Sequence, residues 1–188
     1  MTLSESLRLK LQPLYASGWH PHNYGDRFTT SSKWQNIPDA ATEITLYGIV
    51  SAAGHEVLIL DRNYFPTQVP VDIQLIPTVS FEKSVIEAIG SYGNALRELG
   101  VTGDIDVGLG IINLGKSMLY VGTGHGMGAR VHSGGDIMPP AVAIPESVDF
   151  TNLQNVAKAV RSAFDFIWRE YNYPGSLNYI GSGEWVVR

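Results

Sequence analysis

The 188-residue sequence predicts a single α+β domain: an antiparallel sheet of five or six strands with two main helices on one face and a short N-terminal helix. Three observations predict it. Two long segments, 80–100 and 151–171, repeat apolar residues at three and four positions; several short segments between 43 and 144 are rich in Ile, Leu and Val or alternate apolar with polar; and Gly, Pro and Asn punctuate the joints. A hydrophobic fraction of 44% against 16% charged residues fits a chain that buries a core and does not remain disordered.

Residues 1–18 form the first element. Thr2 and Glu5 have capping-box spacing, and Leu3, Leu7, Leu11 and Leu14 share one helical face before Pro13 and Gly18 close it. Residues 19–41, rich in His, Pro, Asn, Gly, Asp, Thr and Ser, read as a long loop pinned by Trp19, Tyr24, Phe28 and Trp34. The core follows over 43–172. A hairpin is expected from Glu43–Val50 and His55–Leu60 around a Ser51–Gly54 turn, then a strand over Val69–Ile76 with Val71, Ile73 and Leu75 on one face. Ser80 caps the first main helix, whose stripe runs from Val85 and Ile86 to Leu99 and stops at Gly100; Gly90 and Gly93 inside it suit a close approach by another element. Asp104–Ile112 and Ser117–Val121 predict a second hairpin, and proline-bounded Ala141–Ile144 an edge strand. Thr151 or Asn152 caps the last helix, with Leu153, Val156, Val160, Phe164, Ile167 and Tyr171 as its stripe. The tail, 173–188, either docks back or engages a partner through Tyr173, Tyr179 and Trp185.

The totals bound the function classes. A net charge of −5 with no Lys/Arg cluster disfavours nucleic-acid binding by this chain alone. With no cysteine, thiol nucleophiles, thiolate metal sites and disulfides are excluded. No apolar stretch reaches the roughly 18 residues a membrane helix needs, and the N-terminus has no signal-peptide pattern, so a cytoplasmic protein without a membrane partner is expected.

Half of the twenty glycines lie in 101–140, and the densest run is Gly122-Thr-Gly124-His125-Gly126-Met-Gly128. It matches neither the dinucleotide fingerprint nor a phosphate-binding P-loop, which leaves a mobile flap at the sheet's end. If it takes a ligand, Gly122, Gly124, Gly126 and Gly128 supply backbone amides, His125 or His132 a base, Asp136 its orienting group and Arg130 an anion contact. His20-Pro21-His22 with Asp26 offers too few metal ligands to predict a metal, Ser80-Phe-Glu-Lys83 lacks the companion motifs of penicillin-recognising enzymes, and Asp104 with Asp106 reads as a solvated strand face. No cofactor is expected.

Val85-Ile-Glu-Ala88, the run from Ala95 to Val101, the hairpin after it, Ala143-Ile-Pro-Glu146 and Phe164-Asp-Phe-Ile-Trp168 together resemble the region that follows the Schlafen-AlbA-type DNA-binding domain in bacterial regulator-like proteins. The resemblance spans about residues 85–173 and implies an accessory or sensing role; the DNA-binding domain has no counterpart here. The sequence therefore predicts a non-enzymatic accessory, interaction or sensing subunit with a protein partner, the alternative being a small-ligand or nucleotide-binding enzyme using 122–136. It sets no oligomeric state.

Overall fold

The computed structural model describes residues 9–11, 20–23, 27–34, 37–45, 48–54, 72–121 and 131–186. The elements are β1 (His20–Asn23), β2 (Arg27–Trp34), β3 (Ile37–Thr45), β4 (Val50–Gly54), β5 (Gln74–Pro77), α1 (Thr78–Glu98), β6 (Ile105–Val107), β7 (Ser117–Tyr120), β8 (Val142–Ile144) and α2 (Leu153–Glu170). They belong to two compact units. One draws its described residues from 1–57, 84–103 and 149–153, the other from 58–83, 104–148 and 154–188.

The first unit holds an antiparallel meander in the order β1-β2-β3-β4. This corrects the loop expected over 19–41. The middle of β2 is Thr29-Thr30-Ser31-Ser32 between Phe28 and Trp34, and a branched Thr fits a pleated strand as well as it fits a turn. Thr30 and Thr42 are buried, and each hydroxyl finds a partner: Thr30 donates to the Leu11 carbonyl, and Thr42 shares a 3.0 Å bond with the Tyr92 hydroxyl. The hairpin exists with a shifted turn. Ile44 pairs with Val50 and Glu43 with Ser51, so the chain reverses before Val50, and Ser51–Gly54, expected as the turn, is the return strand. Gly48 at φ 73° makes that reversal possible. Residues 55–60, expected as its second strand, lie outside the described residues, as do 1–8 and 12–18 of the N-terminal helix; Leu9 and Lys10 are helical.

In this unit the 84–98 part of α1 presents Val85, Ile86, Ala95 and Leu96 to the interior. Ser91 donates to the Lys10 carbonyl at 2.7 Å, and Lys10 pairs with Glu98. The close approach foreseen at Gly93 is made by the Phe150 ring, over which the Arg97 guanidinium lies 5.7 Å from the centroid. The helix ends in a Schellman motif: Gly100, at φ 82°, donates to Arg97 O and Val101 donates to Leu96 O.

The second unit overturns the single five- or six-strand antiparallel sheet. It contains a parallel pair, β5 with β7, and a separate antiparallel pair, β6 with β8. The hairpin expected from 104–121 does not form. β6 stops at Val107 and takes β8 as its partner, while β7 lies beside β5. Glycines at 108 and 110 leave one face of the following backbone bare, with Met138 packed against Gly110, and an isolated bridge, Ile111 with Ile137, continues it. The alternating segments were real apolar faces, but alternation carries no information on which strand is the neighbour. The expected Ala141–Ile144 strand is present as β8.

α2 buries Val156, Val160, Phe164 and Ile167 as the stripe predicts, together with Ala157, Ala163 and Trp168. Leu153, at the helix start, is 40% exposed instead. Phe164 meets Phe81 edge-on, centroids 6.1 Å apart, and Ile73, Leu75 and Met118 pack as one apolar cluster. The start of α1 is Thr78, two residues before the expected cap, and its hydroxyl donates to Tyr120 O at 3.0 Å.

Candidate functional site

Of the residues singled out in the glycine-rich stretch, Gly122, Gly124, His125, Gly126, Gly128 and Arg130 lie outside the described residues. His132 and Asp136 are described. His132 pairs its backbone with Ser117 in both directions, its ring lies 5.4 Å from that of Tyr171, and its Nδ1 accepts the Gly134 N–H at 3.2 Å. Asp136 accepts the Asn113 N–H at 2.8 Å, which steadies Asn113 at φ 56°. His132 thus closes a local turn, and Asp136 ties the 113 turn to a segment 23 residues further on. Asp104 likewise accepts the Glu146 N–H at 3.0 Å, and Asp106 is exposed. The side chains of His20 and His22 lie outside the description; among the described residues no three His, Asp or Glu side chains gather as metal ligands. Among them too, no helix is long and apolar enough to cross a membrane.

The tail takes the docking alternative. Tyr179 and Trp185 are buried and form an isolated bridge, with Gly183 at φ 84° turning the chain between them. The Gln154 side chain holds both backbone groups of Trp185, donating to its carbonyl at 2.8 Å and accepting its N–H at 3.1 Å. The Tyr179 hydroxyl donates to Ala157 O at 2.7 Å, and the Arg161 guanidinium lies 5.2 Å from the ring centroid. Tyr173 is half-buried, edge-on to Trp168 at 5.0 Å. That contact belongs to a second Schellman motif, in which Asn172, at φ 63°, donates to Arg169 O and Tyr173 to Trp168 O.

Glu82 was missed by the sequence reading and is the most constrained polar group of this unit. It is 0% exposed. Its Oε1 accepts from Trp168 Nε1 and from Ser176 Oγ, both at 2.7 Å, and its Oε2 accepts from Trp185 Nε1 at 2.8 Å. The Asn178 side chain also favours the charged carboxylate, although its Nδ2 makes no hydrogen bond of normal geometry. Burial pushes the Glu82 carboxyl above the ordinary glutamate range, and the Ser176 hydroxyl, the nearby Asn178 amide and the two indole N–H groups pull it part of the way back. Burial is also the main cause that raises Tyr179, with the Glu82 and Asp165 charges adding to it. Burial again pushes Tyr171 up to about 12, while its bond with Ser117 Oγ at 2.7 Å opposes the rise. A signal for Glu82 was present: it stands three and four residues before Val85 and Ile86, on the apolar stripe of α1. Sealed from solvent and fully engaged by donors, this carboxylate fastens the start of α1 to the end of α2 and to the tail. It does not face a substrate.

An accessible feature lies in the first unit. Among the described residues β4 is the last strand of its sheet, and Ser51, Ala52, Ala53 and Gly54 are all exposed. Thr45 N–H donates to Ile49 O, so in antiparallel alternation Glu43–Ser51 and Ala41–Ala53 exchange the ladder bonds. The backbone N–H and C=O groups of Val50, Ala52 and Gly54 therefore point away from β3. Residues 48–54 contain no charge and no proline, the two devices that usually blunt an edge. No family model, curated protein or solved structure matches the chain.

Proposed function

We propose that this chain is a non-enzymatic accessory or sensing subunit that works through protein–protein contacts, and that an extended segment of its partner adds to the sheet along β4. The observation behind this reading is the outer edge of Val50–Gly54, which no described strand covers and whose outward backbone groups suit the addition of another strand. The closed character of the Glu82 cluster and the likeness of 85–173 to an accessory region point the same way. The ligand-binding alternative draws no support from His132 and Asp136, whose side chains accept backbone N–H groups of Gly134 and Asn113.

Native mass spectrometry of protein purified from its own host tests the reading, with wild type beside Ala52→Pro. Proline at 52 removes an outward donor and leaves the β3 ladder its bonds. The expected outcome is a stoichiometric protein partner on wild type that is lost from a folded Ala52→Pro. Wild type without a partner, or full retention by the variant, overturns it.

A further inference from the structure

Resting on the edge reading above, we infer that the strand added to β4 is β4 of a second copy, paired antiparallel about a two-fold axis through Ala52. The outward groups are their own complement. With Ala52 opposite Ala52, Val50 of each copy faces Gly54 of the other, and both bonds of each pair can form. Antiparallel self-pairing also sets each residue against a small or uncharged one, because 48–54 reads Gly-Ile-Val-Ser-Ala-Ala-Gly. No like charges meet.

The same small side chains argue against a foreign peptide as the main occupant. Strand addition takes its affinity from the main chain and its specificity from side-chain pockets, and Ser, Ala, Ala and Gly provide no walls for such pockets. A second copy needs none, since symmetry supplies the register. The opposite edge of the sheet explains why addition stops at two. β1 contains Pro21, paired with Thr30, and a proline that has no N–H fits this ladder only with its nitrogen on the outer side. The joined sheet would thus end in a proline-bearing strand on either side and close as a dimer, where a sheet with two bare edges would grow. A five-residue strand pair is small beside a standard interface, so the dimer is weak and concentration-dependent.

Sedimentation equilibrium of the full chain over a wide concentration range tests this, using wild type, Ala52→Glu and Ala52→Lys. Wild type should rise from 20.5 kDa toward twice that mass. Each charged variant sets like charges against each other across the axis and should associate about tenfold more weakly or worse. An equimolar mixture of the two should recover association, which loss of folding in either variant could not produce. Wild type that stays monomeric throughout, charged variants that dimerise as well as wild type, or a mixture that remains monomeric each overturn the second copy. A monomer that still binds a foreign partner through β4 leaves the edge reading standing, whereas a monomer that binds none removes both.

Discussion

Glu82 is a carboxyl group removed from water and held there by donors instead of by bulk solvent. Two indole N–H groups can only donate, and the Ser176 hydroxyl donates to the same carboxylate. Glu82→Ala strands all three, and each buried donor without an acceptor costs about 1–3 kcal/mol, so a loss of at least about 3 kcal/mol is expected in urea unfolding followed by circular dichroism. Glu82→Gln should lose less, since its amide oxygen still accepts at one end while its NH₂ confronts a Trp N–H at the other. Equal losses in the two variants would contradict this division of roles. Gly93 illustrates the opposite constraint, a lack of space. A Cβ there would lie 2.2 Å from the buried Phe150 ring, which cannot swing aside. Gly93→Ala should gain about 1 kcal/mol of helix propensity yet lose about 1–3 kcal/mol to overpacking. The net loss should shrink in the Phe150→Ala background, and simple additivity would count against the contact.

Among the elements, α1 shows how a single backbone position ends a helix. Gly100 sits at φ 82° with nothing within 4 Å of a would-be Cβ, so Gly100→Ala meets only the conformational penalty of the left-handed region, about 1–2 kcal/mol, readable as a lowered Tm. The glycine that the stripe pattern marked as the stop is thus the one that performs the cap. Helices were legible for this reason: their signals, a stripe, a stop residue and a close-approach glycine, are all local. Strand existence was partly legible and strand partnership was not. The alternation of Ile73 and Leu75 against Asp72 and Gln74 correctly placed a buried face, but nothing within residues 72–77 specifies a parallel neighbour at Ser117–Tyr120. The end of β3 was expected within the Glu43–Val50 strand, but β2 was read as loop because its Thr and Ser were weighed as turn formers, whereas Thr30 and Thr42 are buried with their hydroxyls paired. At the candidate site, the polarity of His132 and Asp136 was legible but its use in turns was not. The Glu82 cluster joins positions about ninety residues apart, a distance no local pattern spans.

For the chain as a whole, two carboxyls set opposing pH dependences. Glu82 is raised from its ordinary 4.5, so on raising the pH the unfolded chain releases this proton first. Its contribution is complete below 4.5 and is lost as pH climbs through the raised value. Asp149 is held below its ordinary 3.8 by the Thr151 hydroxyl and then the Thr151 N–H, at 2.7 and 2.9 Å. Its contribution is present above 3.8 and is lost as pH falls through the lowered value. Glu82→Gln should flatten the decline in stability as pH climbs above 4.5 in urea melts taken across pH; an unchanged slope would refute the assignment. The bonds around Glu82 carry one more consequence, an optical one. Trp168 and Trp185 are two of only four tryptophans, and both anchor their indole N–H on this one carboxylate. Its ionisation perturbs both ring systems at once, so the emission spectrum and the indole N–H resonances form a built-in titration signal that reports, without any label, whether the tail is seated.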